Sequence, residues 1–468
     1  MMLRMKRFPI FLFCLHFLFS EAQEIIGIGY SEYLNTVLKQ HPMAKRAENE
    51  QVYADYQLKA ARGLYDPVLN GEVDQKLFNG KNYFTQTNAE LKQALFTAQY
   101  IKFGYDYGQG LFLNPENNSP TAGLAYVGIE LGLGQGLMID KRRAEVLKSR
   151  AYVDYHDAEK NIRLNHLLFE SSQAYFDYLF NLKILALNTY FMQLAKQRLT
   201  GIEALAAIGE KASVDTIEAA IFYQSRLSDW LGAKIENQKM TQTVLSYWWS
   251  NAQATQPNAL ITVSDSLEMY FQQAKKMLTV KLYEATPLNP VINKYRSLQK
   301  VLDIDKRYRK ELVKPIVNVK YNALSNSAVA FYPGFMANNY KFGMQVSFPL
   351  LFRNPLNTYH LSKIQAQNNQ WELLNKSNEL TFKISALRKN MGLLAEQLQN
   401  AERTARYSKQ LVEAEKLKFT NGESTLFMLN TRESKWLESE QKLAEFKLKF
   451  IKNYLNLVYL SGGLDYVF

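Results

Sequence analysis

Few side chains in this sequence are of the kinds that do covalent or metal chemistry, and none stands at a working spacing. His41, His156, His166 and His360 are far apart, and none falls in the paired patterns that bring two ring nitrogens to one metal ion. Cys14 is the only cysteine. Between Gly128 and Gly136 the glycines alternate along a strand-like run and lack the Lys-Ser/Thr of a phosphate-binding loop. No G-x-S-x-G stretch is present either. The expectation is therefore a protein without catalytic residues, metal or cofactor, whose function lies in its architecture.

The first residues give an address. Arg4, Lys6 and Arg7 precede an apolar run from Phe8 to Phe19, and Ser20-Glu21-Ala22 offers a small-x-small cleavage site, which predicts a secretory signal peptide over 1–22. Cys14 lies inside it, so the mature chain has neither a disulfide nor a lipid attached through cysteine. Past the leader no apolar run nears the roughly 20 residues of a spanning helix, which excludes a helical inner-membrane bundle and leaves a β-barrel open. Net charge is +12, but Lys and Arg alternate with Glu along helical stretches and form no basic–aromatic cluster, so solvated helix faces are expected rather than nucleic-acid binding. Tyr 29 and Phe 27 are generous for a purely helical protein.

The dominant pattern is a heptad seam. From Leu380 to Phe419, the residues Ile384, Leu387, Met391, Leu394, Leu398, Ala401 and Ala405 fall three and four apart, and Val412 and Phe419 continue in steps of seven. That proline-free stretch alone predicts a helix of roughly 60 Å. Asn421 and Gly422 tolerate the left-handed closure of a helix, and Ser424 can cap the next one. Doublets at Trp436 and Leu437, Leu443 and Ala444, Phe450 and Ile451, and Leu457 and Val458 then carry a second seam back, giving an antiparallel hairpin. The same order occurs earlier: helix from Leu137 to about Ala207, a turn at Ile208-Gly209-Glu210-Lys211-Ala212-Ser213, and a returning helix from Asp215 toward Trp248.

Before each hairpin the period falls to two. Ile101 to Gly108 and Thr121 to Gly134 are the clearest strands, and Val68 to Phe78 and Tyr83 to Leu95 are further segments; alternation alone does not choose which pair forms the main hairpin. In the second half, Ile316 to Ala323 and Tyr340 to Phe348 alternate likewise. A helix precedes each set, Ser31 to about Leu64 and Pro290 to Leu312. Pro67 thus matches Pro315, Gly136 matches the region of Arg353, and Gly209 matches Gly422: helix, strand hairpin and long helical hairpin, twice over.

This order resembles the TolC family of outer-membrane efflux and secretion channels. Its carriers are Ala60-Ala61-Arg62-Gly63-Leu64-Tyr65-Asp66-Pro67, Phe348-Pro349-Leu350, Phe419 through Phe427, and Leu460-Ser461-Gly462-Gly463-Leu464. The resemblance implies a mixed α and transmembrane β fold, with a trimeric barrel of four strands per chain continuous with a periplasmic α-helical tunnel. It divides the chain into a leader (1–22), an N-terminal periplasmic helix (23–65), outer-membrane β segments (66–136), a periplasmic helical hairpin (137–249), a middle region (250–289), a second-repeat helix (290–313), outer-membrane segments (314–352) and a second hairpin with the C-terminus (353–468). It implies a homotrimer in outer-membrane lipid, met by a periplasmic adaptor and driven by an inner-membrane pump, that conducts passively.

The turns at Gly209, Glu210, Lys211 and Ser213 and at Asn421, Gly422, Glu423 and Ser424 are, by this resemblance, where the adaptor sits. Family members often close the tip with acidic residues after the second turn. The matching positions here carry Phe427 and Asn430, so Asp215 and Glu218 are expected to line the entrance instead. A periplasmic coiled-coil scaffold or adaptor without channel activity is the competing reading. Cargo is not encoded in any of these patterns.

Overall fold

The computed structural model describes residues 25–250, 253–254, 260–263, 265–280, 289–326 and 338–463. The expected leader with Cys14, much of the middle region and Leu464 lie outside the described residues. The chain opens with β1 (Ile25–Gly27), α1 (Tyr30–Gln40) and α2 (Pro42–Arg62), followed by β2 (Val68–Phe78), β3 (Lys81–Ala94), β4 (Gln99–Gln109) and β5 (Leu124–Gly132). The first helical pair is α3 (Lys141–Ala207) and α4 (Ser213–Tyr247). Short strands β6 (Trp249–Ser250), β7 (Gln253–Ala254) and β8 (Leu260–Thr262) lead to α5 (Leu267–Val280). The second half is α6 (Pro290–Glu311), β9 (Ile316–Ser325), β10 (Tyr340–Ser347), α7 (Arg353–Thr420) and α8 (Leu426–Ser461).

With 67 and 68 residues, α3 and α7 each run about 100 Å. Seam residues Leu380, Ile384, Met391, Leu394, Leu398, Ala405 and Val412 are buried, and Leu387, Ala401 and Phe419 are half-buried. α7 packs along α8 and, toward its start, along α6, while α3 packs along α4, α2, α6 and α8. The helix starts follow from local chemistry. The Asp140 carboxylate accepts the Arg143 N–H at 2.9 Å, and the Asn289 side chain accepts the Val291 N–H at 2.9 Å with Pro290 in the first turn.

Three local expectations change. The helix expected from Ser31 to Leu64 is two helices, because Pro42 has no N–H to donate and starts a new one, with His41 Nδ1 accepting the Met43 N–H at 3.2 Å. The cap of α8 is Thr425, whose Oγ1 accepts the Met428 N–H at 3.3 Å, whereas Ser424 donates to Glu415 across the turn. Helix α3 begins at Lys141 rather than Leu137, because Gly136 holds φ +91 and the chain turns before it.

The larger change is in the sheet. One antiparallel sheet of six strands runs in the order β10-β9-β5-β4-β3-β2, so the described residues give it six strands rather than the expected four. All four alternating segments between 68 and 134 are strands: β2 pairs with β3, β3 with β4 and β4 with β5. The two halves join where β5 pairs with β9, from Ala125 opposite Ser325 to Gly132 opposite Asn318.

The main core lies at mid-length of the helices, where α1 and α5 pack on α3 and α8. The Asp265 Oδ2 there accepts the Tyr30 N–H at 3.0 Å, the Tyr175 hydroxyl at 2.8 Å and the Tyr270 hydroxyl at 2.6 Å. Tyr30 in turn donates its hydroxyl to Ser172 at 2.9 Å. Burial pushes the phenols of Tyr30, Tyr33, Tyr175 and Tyr270 up from their ordinary range.

Candidate functional site

Two regions carry the expected function: the sheet and the far ends of the helical pairs. In the sheet, side chains alternate between faces, and the register aligns like with like across all six strands. Leu69 stands opposite Leu91, Leu91 opposite Phe103, Phe103 opposite Val127, Val127 opposite Ala323, and Ala323 opposite Tyr340. On the same face one neighbouring row runs Gly71, Ala89, Tyr105 and Ala125, the other runs Ile101, Ile129, Tyr321 and Phe342, and Val73, Met344 and Val346 lie farther along the edge strands. This face is largely apolar and most exposed at its edges, where Leu69 is 75%, Val73 70%, Phe342 58% and Met344 61% accessible, and Ala323 on it is buried.

The opposite face is polar and locked by ion pairs. Lys102 Nζ lies 2.9 Å from Glu130 and 3.5 Å from Glu90, and Lys92 Nζ lies 3.0 Å from the same Glu130. The Tyr126 hydroxyl donates to Glu90 at 2.9 Å, and Asn88 donates to Asp106. Glycines make room for this lattice. A Cβ on Gly104 would lie 2.1 Å from the Tyr126 ring, and one on Gly128 would lie 2.0 Å from the Asn322 side chain. Of the glycines between Gly128 and Gly136, Gly128 and Gly132 thus sit on β5, while Gly134 and Gly136 fall in the turn that follows it. The alternation Glu90, Lys92 and the isolated Lys102 and Glu130 on otherwise apolar-alternating strands was the available sequence signal for this lattice.

Where sheet meets helix, Asp140 is flanked by Arg142 at 2.9 Å and Arg143 at 3.1 Å. The Arg142 guanidinium lies 4.3 Å from the centre of the Tyr100 ring and donates to the Thr97 carbonyl at 3.2 Å. Glu311 accepts the Met138 N–H at 3.1 Å, tying the end of α6 to the same junction. These contacts fix the start of α3 to the base of β4.

At the other end, the turns of the two helical pairs come together. Ile202, Ala219 and Leu426 form one buried cluster with Leu199 and Phe419 packed on it, and Lys211 Nζ lies 5.5 Å from the centre of the Phe419 ring. Gly209 and Gly422 hold φ +81 and +77. Gly209, Glu210, Lys211, Ser213, Asn421, Gly422 and Glu423 are exposed, and Ser424 is half-buried against Glu415.

The four residues expected to line an entrance separate. Asp215 and Glu218 are half-buried on the first turns of α4, and Phe427 is exposed. Asn430 is buried and accepts from Arg198 Nη1 at 2.8 Å, beside Glu433, which takes a second bond from the same nitrogen at 2.8 Å and a further one from Arg198 Nη2. This bridge joins α3 to α8, and Arg226 on α4 adds a bond to Ser434 at 3.1 Å. No sequence spacing pointed to Arg198 or Glu433, which are 235 positions apart.

Among the described residues no group of His, Cys, Asp and Glu is placed to hold a metal ion, and His156 instead contacts Glu50 at 2.9 Å. No helix of the described residues is long and apolar enough to cross a membrane, which has no bearing on strands.

No family model matches the sequence, and neither does any curated protein. Solved structures do match. The outer membrane protein VceC from Vibrio cholerae superposes with a TM-score of 0.65 at 12% identity, covering 93% of this chain and 96% of that one. This chain has the fold of an outer-membrane channel. The CmeC outer membrane channel of Campylobacter jejuni superposes with a TM-score of 0.62 at 12% identity over 93% and 85% of the two chains. The open state of the MtrE outer membrane channel of Neisseria gonorrhoeae gives 0.63 at 12% over 93% and 89%.

Proposed function

We propose that this protein is the outer-membrane exit duct of a tripartite efflux or type I secretion system, in the manner of the TolC family. The observation that carries this reading is the sheet: one face largely apolar, with Leu69, Val73, Leu91, Phe103, Ile129, Phe342 and Met344 exposed on it, the other polar and ion-paired, on the same chain as two helices about 100 Å long. A soluble sheet would cover such a face. A lipid-facing one leaves it bare, with the polar lattice of Lys92, Lys102, Glu90 and Glu130 turned to water in the lumen.

In this reading three copies share one barrel in the outer membrane, and their repeated helical hairpins form the tunnel wall in the periplasm. Substrate is conducted passively, with energy supplied by an inner-membrane pump and with no covalent step in this chain. The exposed turns at Gly209, Glu210, Lys211 and Ser213 and at Asn421, Gly422, Glu423 and Ser424 form the docking end for a periplasmic adaptor. Asp215, Glu218 and Phe427 flank the entrance there, and Asn430 serves it indirectly, by fixing Arg198. The polar lattice favours hydrated cargo over lipid.

The test is the mass of the mature protein extracted from outer-membrane fractions in mild detergent and corrected for bound detergent, followed by conductance in planar bilayers. Three chains per particle and discrete channel openings are expected. A water-soluble monomer overturns the proposal in favour of a periplasmic coiled-coil scaffold.

A further inference from the structure

We propose that the rim where the sheet meets the helices is a belt for anionic phospholipid, with acyl chains on the end of the apolar face and headgroup phosphates on Arg62, Lys141, Lys310 and Arg353. The inference rests on the channel reading above and goes beyond it in naming the lipid class and the side chains that take it.

The ends of several elements meet at this rim. The Arg142 guanidinium lies 5.3 Å from the centre of the Tyr65 ring, which joins the end of α2 to the start of α3. Met138 donates its N–H to Glu311 at 3.1 Å, which brings in the end of α6. Ile316 stands opposite Ser347, so the chain leaves β10 for α7 beside the start of β9. Each of the four cations sits at one of these ends. Arg62 closes α2, Lys141 opens α3, Lys310 lies in the last turn of α6 and Arg353 opens α7.

All four are exposed, and none has an ion pair among the described residues. Nearby acids already have cations of their own: Asp140 lies between Arg142 and Arg143, Asp305 takes Arg309 at 3.3 Å, and Glu311 takes Lys314 at 2.8 Å. Asp66 is exposed four positions after Arg62, which leaves the free charge of the rim positive.

The same rim is apolar. Leu133 comes two positions after Leu131 and donates its N–H to the Val317 carbonyl at 2.8 Å, so it extends the apolar face of β5 beyond the strand's end. Phe348 follows Val346 by two in the same way, and its ring stacks on Phe352 at 6.4 Å. The Phe96 ring, 5.7 Å from Tyr65, is 86% accessible, and Met138 and Leu350 are 73% and 85% accessible.

A soluble anion, such as an acidic peptide, would satisfy the cations and leave these apolar side chains in water. A phospholipid meets both kinds of group in one molecule, and the apolar face above already places acyl chains at this level. A zwitterionic headgroup brings its own cation and leaves the rim's charge uncompensated. An anionic one compensates it, and each Lys or Arg near an anionic lipid surface is worth about fivefold in affinity.

Lipid retention tests the belt. The mature protein is passed through gel filtration in mild-detergent micelles holding equal amounts of phosphatidylglycerol and phosphatidylcholine, and the retained lipid is quantified by mass spectrometry. Enrichment of phosphatidylglycerol by at least about fivefold is expected at low salt, falling as salt is raised. The combined variant Arg62→Gln, Lys141→Gln, Lys310→Gln and Arg353→Gln should lose the enrichment. It leaves Arg142 and Arg143, which hold Asp140, in place. A control with the same change in charge, Lys389→Gln, Arg403→Gln, Arg406→Gln and Lys416→Gln along α7, should keep it. Equal retention of the two lipids by the parent overturns the belt, as does enrichment that survives in the rim variant or disappears in the control. Displacement of the lipid by glycerol phosphate at matched concentration overturns it in favour of a soluble-phosphate site. A particle that requires detergent yet shows no enrichment leaves the channel reading standing. A water-soluble monomer overturns both.

Discussion

Removing Arg198 should loosen the end of the molecule where the two helical pairs meet. Its guanidinium makes bonds of 2.8 Å to Asn430 and to Glu433, with a further one to Glu433, and the Arg198 and Glu433 side chains are 11% and 2% accessible. In Arg198→Ala the Glu433 carboxylate stays buried with its cation gone. Breaking a buried pair from one side costs about 3–5 kcal/mol, which is about two to three and a half powers of ten in a local opening equilibrium. Hydrogen exchange of the backbone amides around Ile202 and Leu426 reads that opening directly, since both residues sit in the small cluster beside the bridge. The double replacement Arg198→Met with Glu433→Met removes both charges and should recover protection to within about 1 kcal/mol of the parent, because a buried pair exchanged for apolar side chains is close to neutral. An Arg198→Ala protein whose protection falls by less than about fivefold would refute the reasoning, since that is the scale of an exposed ion pair.

Three further outcomes follow from the same geometry. Val73→Arg, on the apolar face, should cost about 2–4 kcal/mol of membrane stability and reduce the amount recovered in outer-membrane fractions, while Asp74→Arg on the polar face leaves it near the parent; equal recovery of the two would contradict the assignment of faces. Gly104→Ala puts a Cβ 2.1 Å from the Tyr126 ring and should lower the midpoint of thermal unfolding by the equivalent of about 1–3 kcal/mol, with relief by Tyr126→Ala and none by Tyr126→Phe. The phenols of Tyr30, Tyr33, Tyr175 and Tyr270 are raised by burial, so above about pH 10 the unfolded chain releases protons that the folded one keeps. Stability is therefore full below that pH and declines as pH rises; phenolate absorbance from this cluster should appear only together with loss of helical circular dichroism, and its appearance in the folded protein would count against the buried network.

What the sequence by itself determined was periodicity and order. The spacing of Ile384, Met391, Leu394 and Leu398 specifies a helix with one buried seam because side chains three and four apart share a helix face whatever they pack against. Gly209 and Gly422 specify turns for an equally local reason, the left-handed backbone that residues with a Cβ disfavour. Alternation from Val68 to Gly134 specified strands, and the structure makes all four segments strands of one sheet. The expectation of four strands per chain came from resemblance to other proteins and not from these residues, and it gave way to six.

Only the tertiary structure decided which strand lies beside which, and therefore that Leu69, Leu91, Phe103, Val127 and Ala323 form one apolar row while Lys92, Lys102 and Glu130 meet on the other side. Register depends on hydrogen bonds between distant segments, and β5 and β9 are nearly two hundred residues apart in sequence. The bridge from Arg198 to Asn430 and Glu433 belongs to the same category: Asn430 has the composition of an exposed helix residue, and its burial follows from the approach of α3 to α8. Local spacing fixes which face of an element is apolar. Long-range packing fixes what that face meets.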